Sequence, residues 1–112
     1  MGQKKVVLLI SSSPFSTLNN YEALRSAIAL YDHEVSIIWH EDGVYCTLRS
    51  VDNTRIQSFL RLTGDLDIKL FVSGADLKER GIDEAEVMLK VAVICKAGLI
   101  EALGKAQVVL NF

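Results

Sequence analysis

Cysteine, proline and histidine are scarce in this chain: two Cys, one Pro and two His in 112 residues. Two cysteines, Cys46 and Cys95, are too few for a disulfide framework and suit a reducing cytoplasm. No linker, repeat or low-complexity tract interrupts the sequence, so residues 1–112 read as one domain. No apolar run reaches the roughly 18–20 residues that a membrane-spanning helix needs. The start, Met1-Gly-Gln-Lys-Lys5, enters an apolar segment without a small-residue cleavage site, so no signal peptide is expected. It also lacks the Ser or Thr of a myristoylation signal. Basic blocks are missing and the formal net charge is −2, which argues against direct nucleic-acid binding. No H-x-x-x-H or C-x-x-C spacing marks a metal site, and no cofactor is implied.

What the chain has in excess is apolar residues, half of the total, with a mean hydropathy of +0.28. So short a chain leaves much of its surface outside. The excess therefore predicts self-association through an apolar face. A closely covered parallel sheet also reads as apolar runs.

Strands are expected at residues 6–10, 35–39, 68–72, 91–94 and 107–112, each a short run rich in branched residues. Helices are expected between them. The first spans 21–32, with Leu24, Ala27, Ile28 and Tyr31 on one face and Asn19 or Asn20 as its cap. The second spans 54–62, with Ile56, Phe59 and Leu60 inward, Asn53 as a cap and Gly64 as its stop. A short third helix covers 75–80 and ends at Gly81. The fourth covers 96–103, with Leu99, Ala102 and Leu103 inward and Gly104 as its stop. Residues 44–48 and 82–89 carry no decisive period.

Strict alternation of strand and helix demands crossovers and a mainly parallel sheet. The expected fold is α/β: a three-layer sandwich, five strands in the flavodoxin-like order 2-1-3-4-5, with a switch point between strands 1 and 3. That order sets Ser11, Ser12 and Ser13, after strand 1, beside Ser73 and Gly74, after strand 3. Cys95 follows strand 4, one strand further. Hydroxyls and backbone N–H groups at such strand ends suit a phosphate or other small anion. Strand-end serines also commonly satisfy local backbone. His40, Glu41 and Asp42 are consecutive and fit a solvated turn better than a convergent metal or acid–base site. Cys95 precedes Lys96 at a helix start, which favours a thiolate if the side chain is exposed and an inert apolar filler if it is buried.

Three stretches together carry a resemblance: Phe71-Val-Ser-Gly-Ala-Asp-Leu-Lys-Glu-Arg-Gly-Ile82, Asp42-Gly-Val-Tyr45, and Gly98-Leu-Ile-Glu-Ala-Leu103 with the ending Ala106-Gln-Val-Val-Leu-Asn-Phe112. In order and spacing the chain resembles the DsrE/DsrF-like family, with a flavour of its TusC- or DsrF-type subunits. The resemblance implies the same small α/β sandwich, in trimers or hexamers or in hetero-complexes of related subunits. It implies cytoplasmic sulfur relay, in which a cysteine accepts sulfur as a persulfide from a donor protein and passes it to an acceptor. Such relays serve tRNA 2-thiolation or sulfur oxidation. The family's sulfur-carrying position matches Ser73 here, and a serine hydroxyl cannot form a persulfide. The resemblance therefore points to an accessory, non-carrying subunit without independent catalysis, or to Cys95 as a substitute carrier. From a different class, the Ser11–Ser13 and Ser73 edge suggests a small-anion or nucleotide binding module.

Overall fold

The computed structural model describes residues 3–15, 17–52 and 54–112. Its five strands are β1 (Lys5–Ile10), β2 (Glu34–Trp39), β3 (Lys69–Ser73), β4 (Ala92–Ile94) and β5 (Val108–Asn111). Four α-helices are described: α1 (Asn19–Ala29), α2 (Gln57–Asp65), α3 (Gly74–Glu79) and α4 (Lys96–Lys105). The segment without a decisive period after β2 is a 3-10 helix, Glu41–Thr47, and a second 3-10 turn covers Glu84–Glu86. Val87, in the other segment without a decisive period, makes only an isolated antiparallel bridge to Leu48.

Every strand pair is parallel, as the alternation predicts, but the order is 4-3-2-1-5. The flavodoxin-like order is therefore corrected: β3 pairs with β2, not with β1. The cause lies in which face each helix covers. The β1 residues Val6, Leu8 and Ile10 share a core with Leu24 and Ala27 of α1, Leu60 of α2 and Leu77 of α3. Val7 and Leu9, on the opposite face, pack with Ile38 against Leu99, Ala102 and Leu103 of α4. Crossovers are right-handed, so three successive helices on one face carry the chain steadily from β1 to β4. The fourth, on the other face, returns it past β3, β2 and β1 to place β5 at the far edge.

Burial on both faces explains the unbroken apolar runs of β1 and β2. Leu8, Ile10, Ile37, Ile38 and Trp39 are fully enclosed, and each such side chain stabilises the fold by about 1.5–3 kcal/mol relative to exposure.

Several local expectations need correction. Neither Asn19 nor Asn20 caps α1; both lie inside it, and Leu18 occupies the cap position without a side-chain bond. Asn20 is instead pulled inward, where its Oδ1 accepts a 2.9 Å bond from Trp39 Nε1. Tyr31 lies beyond the helix end and is exposed. Gly64 does not stop α2 and Gly104 does not stop α4, since each helix runs one residue further. The turn after α2 is made by Asp67, at φ 60°. Gly81, by contrast, ends α3 at φ 67°, a conformation glycine adopts without steric cost. Asn53, expected as a cap, lies outside the described residues.

Candidate functional site

The carboxyl ends of the strands line one edge in the order Cys95, Ser73, His40, Ser11 and Phe112, each the residue that ends or follows its strand. Ser73 sits at the end of β3 and caps α3. Its Oγ accepts from Asp76 N–H at 3.3 Å, and it is only 2% exposed. With Ser at the cap and an acid three residues on, Ser73-Gly-Ala-Asp76 follows the spacing of a capping box. The hydroxyl is thus committed to backbone and turned away from solvent.

Asp76 ties this loop to the one after β2. Burial opposes its ionisation, but the Glu41 backbone N–H, the Ser73 hydroxyl, Arg80 and His40 outweigh that and hold its carboxyl below the usual range. Arg80 completes the link, with Nε and Nη2 on Asp42 Oδ1 at 3.2 and 3.1 Å and Nη1 3.7 Å from Asp76 Oδ1. Asp42 and Arg80 both lay in recognisable stretches of sequence, yet their pairing required the fold. The consecutive His40, Glu41 and Asp42 do not converge. His40 Nδ1 lies 3.5 Å from Glu41 Oε1, while Asp42 turns to Arg80.

Beside Ser73, the loop runs close against β4. A Cβ added at Gly74 would stand 2.9 Å from Val93 Cγ1. There the chain enters α4 through Cys95, whose Sγ accepts from Gly98 N–H at 3.4 Å as the helix cap. Cys95 is exposed. It opens into a shallow cleft of about 430 Å³ with Gly74, Ala75, Lys78, Glu84 and Lys96 on its walls. The expected proximity of Cys95 to the Ser73-Gly74 loop is therefore present, because β3 and β4 are neighbours.

The other thiol is different. Cys46 lies in the 3-10 segment with no exposure, 3.7 Å from the Ser12 carbonyl. Burial pushes its pKa up to about 12, against a smaller opposing backbone bond. It is a small apolar filler rather than a nucleophile.

Ser11, Ser12 and Ser13 do not meet Ser73, because β2 stands between their strands. Ser12 Oγ donates to the Phe112 carbonyl at 2.9 Å and accepts from Asn19 Nδ2 at 3.0 Å. Ser13 Oγ accepts from Phe15 N–H. These hydroxyls tie the loop to the end of β5 and the start of α1.

The architecture is shared with known structures. It superposes on the YchN protein of E. coli with a TM-score of 0.81 at 22% identity, covering 99% of this chain and 100% of that one. It also superposes on MTH1491, a protein of unknown function from Methanobacterium thermoautotrophicum, with a TM-score of 0.70 at 16% identity and the same coverage. These likenesses establish the fold. No curated protein matches the sequence. Among the described residues, no helix is long and apolar enough to cross a membrane. The family model for DsrE/DsrF-like proteins matches residues 4–112, nearly the whole chain, and the chain belongs to the DsrE/DsrF-like family.

Proposed function

We propose that this protein is an accessory subunit of a cytoplasmic sulfur-relay system, one that does not itself carry sulfur at the end of β3. Family membership supplies the sulfur-relay setting. The observation that carries the rest is the state of Ser73. At the position where the resemblance puts the carrier thiol stands an oxygen, 2% exposed and bonded to Asp76 N–H. Oxygen lacks the polarisable, easily ionised character that makes a thiolate accept sulfane sulfur. The chain then contributes surface rather than chemistry, and a related subunit holds the reactive thiol. The large exposed apolar side chains Leu89, Val93 and Ile100 favour such association.

A second reading has its own support. Cys95 is an exposed thiol at the start of a ten-residue helix, one strand from Ser73, in a cleft that also holds Lys78 and Lys96. In this reading Cys95 carries the sulfur in place of position 73.

One experiment separates the two. The protein is incubated with a persulfide donor, and persulfides are mapped by mass spectrometry in wild type, Cys95→Ala and Cys46→Ala. The accessory role predicts no label in any form, together with co-purification of a related thiol-bearing subunit. Label lost only in Cys95→Ala establishes the substitute carrier. Label lost only in Cys46→Ala refutes both, since it would require the enclosed thiol to react.

A further inference from the structure

The sheet has two edges, and only one is guarded. β4 is three residues long and stands between the exposed Lys90 and Lys96. Short length and flanking lysines are how an edge strand resists pairing with another chain. β5 has neither flanking charge nor proline: residues 106–112, Ala-Gln-Val-Val-Leu-Asn-Phe, contain none. Among the described strands β5 pairs with β1 alone, so its outer side is open.

The geometry of that outer side follows from the inner one. Gln107 N–H bonds the Lys5 carbonyl at 2.8 Å, and Gln107 Oε1 accepts from Lys5 N–H at 2.9 Å. Backbone groups alternate in direction along a strand, so those of Gln107 and Val109 face β1 and those of Val108 and Leu110 face outward. At the far end, Phe112 N–H bonds the Leu9 carbonyl and the Phe112 carbonyl accepts from Ser12 Oγ. The open strand is thus held extended from both ends.

An apolar stripe runs beside it. Val109 is in register with Val7, which packs under α4, so Val109 lies on the α4 face. It is 37% exposed. On α4, Ala102, Lys105 and Ala106 border a small cleft with Lys69 and Phe71 of β3. Ile100 is two residues, or about 200°, from Ala102. That turns it to the opposite flank of the helix, toward β5, where it is 60% exposed. Glu101 and Lys105 of the same helix pair with each other at 3.0 Å.

We propose that β5 is the pairing edge of a two-fold symmetric dimer, in which β5 of a second copy adds antiparallel and the two sheets become one. With the axis at Val109, the outward backbone groups of Val108 meet those of Leu110 in the copy, and the reverse contact is identical. Val109 then faces Val109 of the copy, beside the two Ile100 side chains. A second copy is the occupant because the edge is its own complement. An uncharged strand meets an uncharged strand, the outward donors and acceptors match across the axis, and the apolar stripe is doubled by it. β4 and β5 are opposite edges of the sheet, so the Cys95 cleft stays open. Failure of the dimer would leave the sulfur-relay reading untouched, and the reverse also holds.

The test is sedimentation equilibrium of the purified full chain across the micromolar range. The wild type is expected at twice 12.4 kDa, or as a larger assembly of such dimers. Val109→Lys sets two ammonium groups face to face across the axis and should weaken the pairing by about 100-fold or more. Ile100→Lys, at an exposed position, should weaken it in the same direction. Ala92→Lys, on the guarded edge, should leave it unchanged. In the wild type, amide exchange at Val108 and Leu110 should slow as protein concentration rises. Circular dichroism and a melting curve establish that each variant folds, and Ile100→Lys with the exchange data carries the test if Val109→Lys does not. Four results overturn the proposal. The wild type could remain a monomer, which would leave the edge to a partner of another sequence, or form only trimers. The folded Val109→Lys and Ile100→Lys variants could pair as the wild type does. Ala92→Lys could abolish the association. Exchange at Val108 and Leu110 could be independent of concentration.

Discussion

Replacing Gly43 by alanine tests how the loop after β2 is held against the sheet. Gly43 sits in the 3-10 segment, with its N–H bonded to the His40 carbonyl at 2.9 Å. His40 N–H in turn bonds the Ile10 carbonyl at 3.0 Å. These bonds draw the segment onto the end of β1, and no room remains for a side chain. A Cβ at Gly43 would collide with the Ile10 carbonyl oxygen and stand 2.8 Å from its carbon. The obstacle is backbone of a central strand, so it cannot swing aside as a side-chain tip would. Overpacking costs about 1–3 kcal/mol, and a backbone collision belongs at the top of that range, about 3 kcal/mol. For a chain of this size each kcal/mol lowers Tm by about 4 °C, so Gly43→Ala should melt about 12 °C below wild type. Gly64→Ala is the control. Gly64 lies within α2 with nothing within 4 Å of an added Cβ, so the same methyl should raise stability by about 0.5 kcal/mol through helix propensity. Urea unfolding followed by circular dichroism measures both. A Gly43→Ala midpoint indistinguishable from wild type would refute the close approach, and an equal loss in Gly64→Ala would show that the methyl acts through something other than space.

Ser73→Ala should cost about 1 kcal/mol in urea unfolding, the usual value of a lost helix cap; no loss would mean that the hydroxyl does not serve α3. Asp76 should impose an acid dependence on stability. Its folded pKa is depressed, so its contribution is present above the unfolded value and is lost as pH falls through the folded one. Asp76→Asn should therefore flatten the acid limb of the stability profile below about pH 4, and an unchanged limb would remove Asp76 from the account.

Much of the fold was legible because apolar runs are a local property. The strands at residues 6–10 and 35–39 are found within one residue of the observed β1 and β2, since strands buried on both faces must be apolar throughout. The caps were less legible. Asn19 and Asn20 have the composition of helix caps, but Trp39 offers Asn20 a buried donor, and a tertiary partner outweighs a local preference worth about 1 kcal/mol. The link from Asp42 through Arg80 to Asp76 was hidden for a similar reason. Residues 38 apart along the chain leave no periodic trace.

Strand order depends on something no single segment records, namely where the chain reverses direction across the sheet. Each helix is amphipathic whichever face it covers, so its own residues do not say which. In the flavodoxin-like order the reversal follows the first crossover; here it follows the last, because only α4 packs on Val7, Leu9 and Ile38. Moving the reversal separates β1 from β3 but leaves β3 beside β4 under either order. The Ser11–Ser13 and Ser73 edge therefore dissolves, since it needed a neighbour relation that the reversal decides. The approach of Cys95 to the Ser73-Gly74 loop survives, since it needed only consecutive strands on a right-handed crossover. That difference also sorts the chemistry. The serines after β1 are left to close their own loop and to bond the end of β5, while the one exposed thiol among the described residues stands beside the Ser73-Gly74 loop.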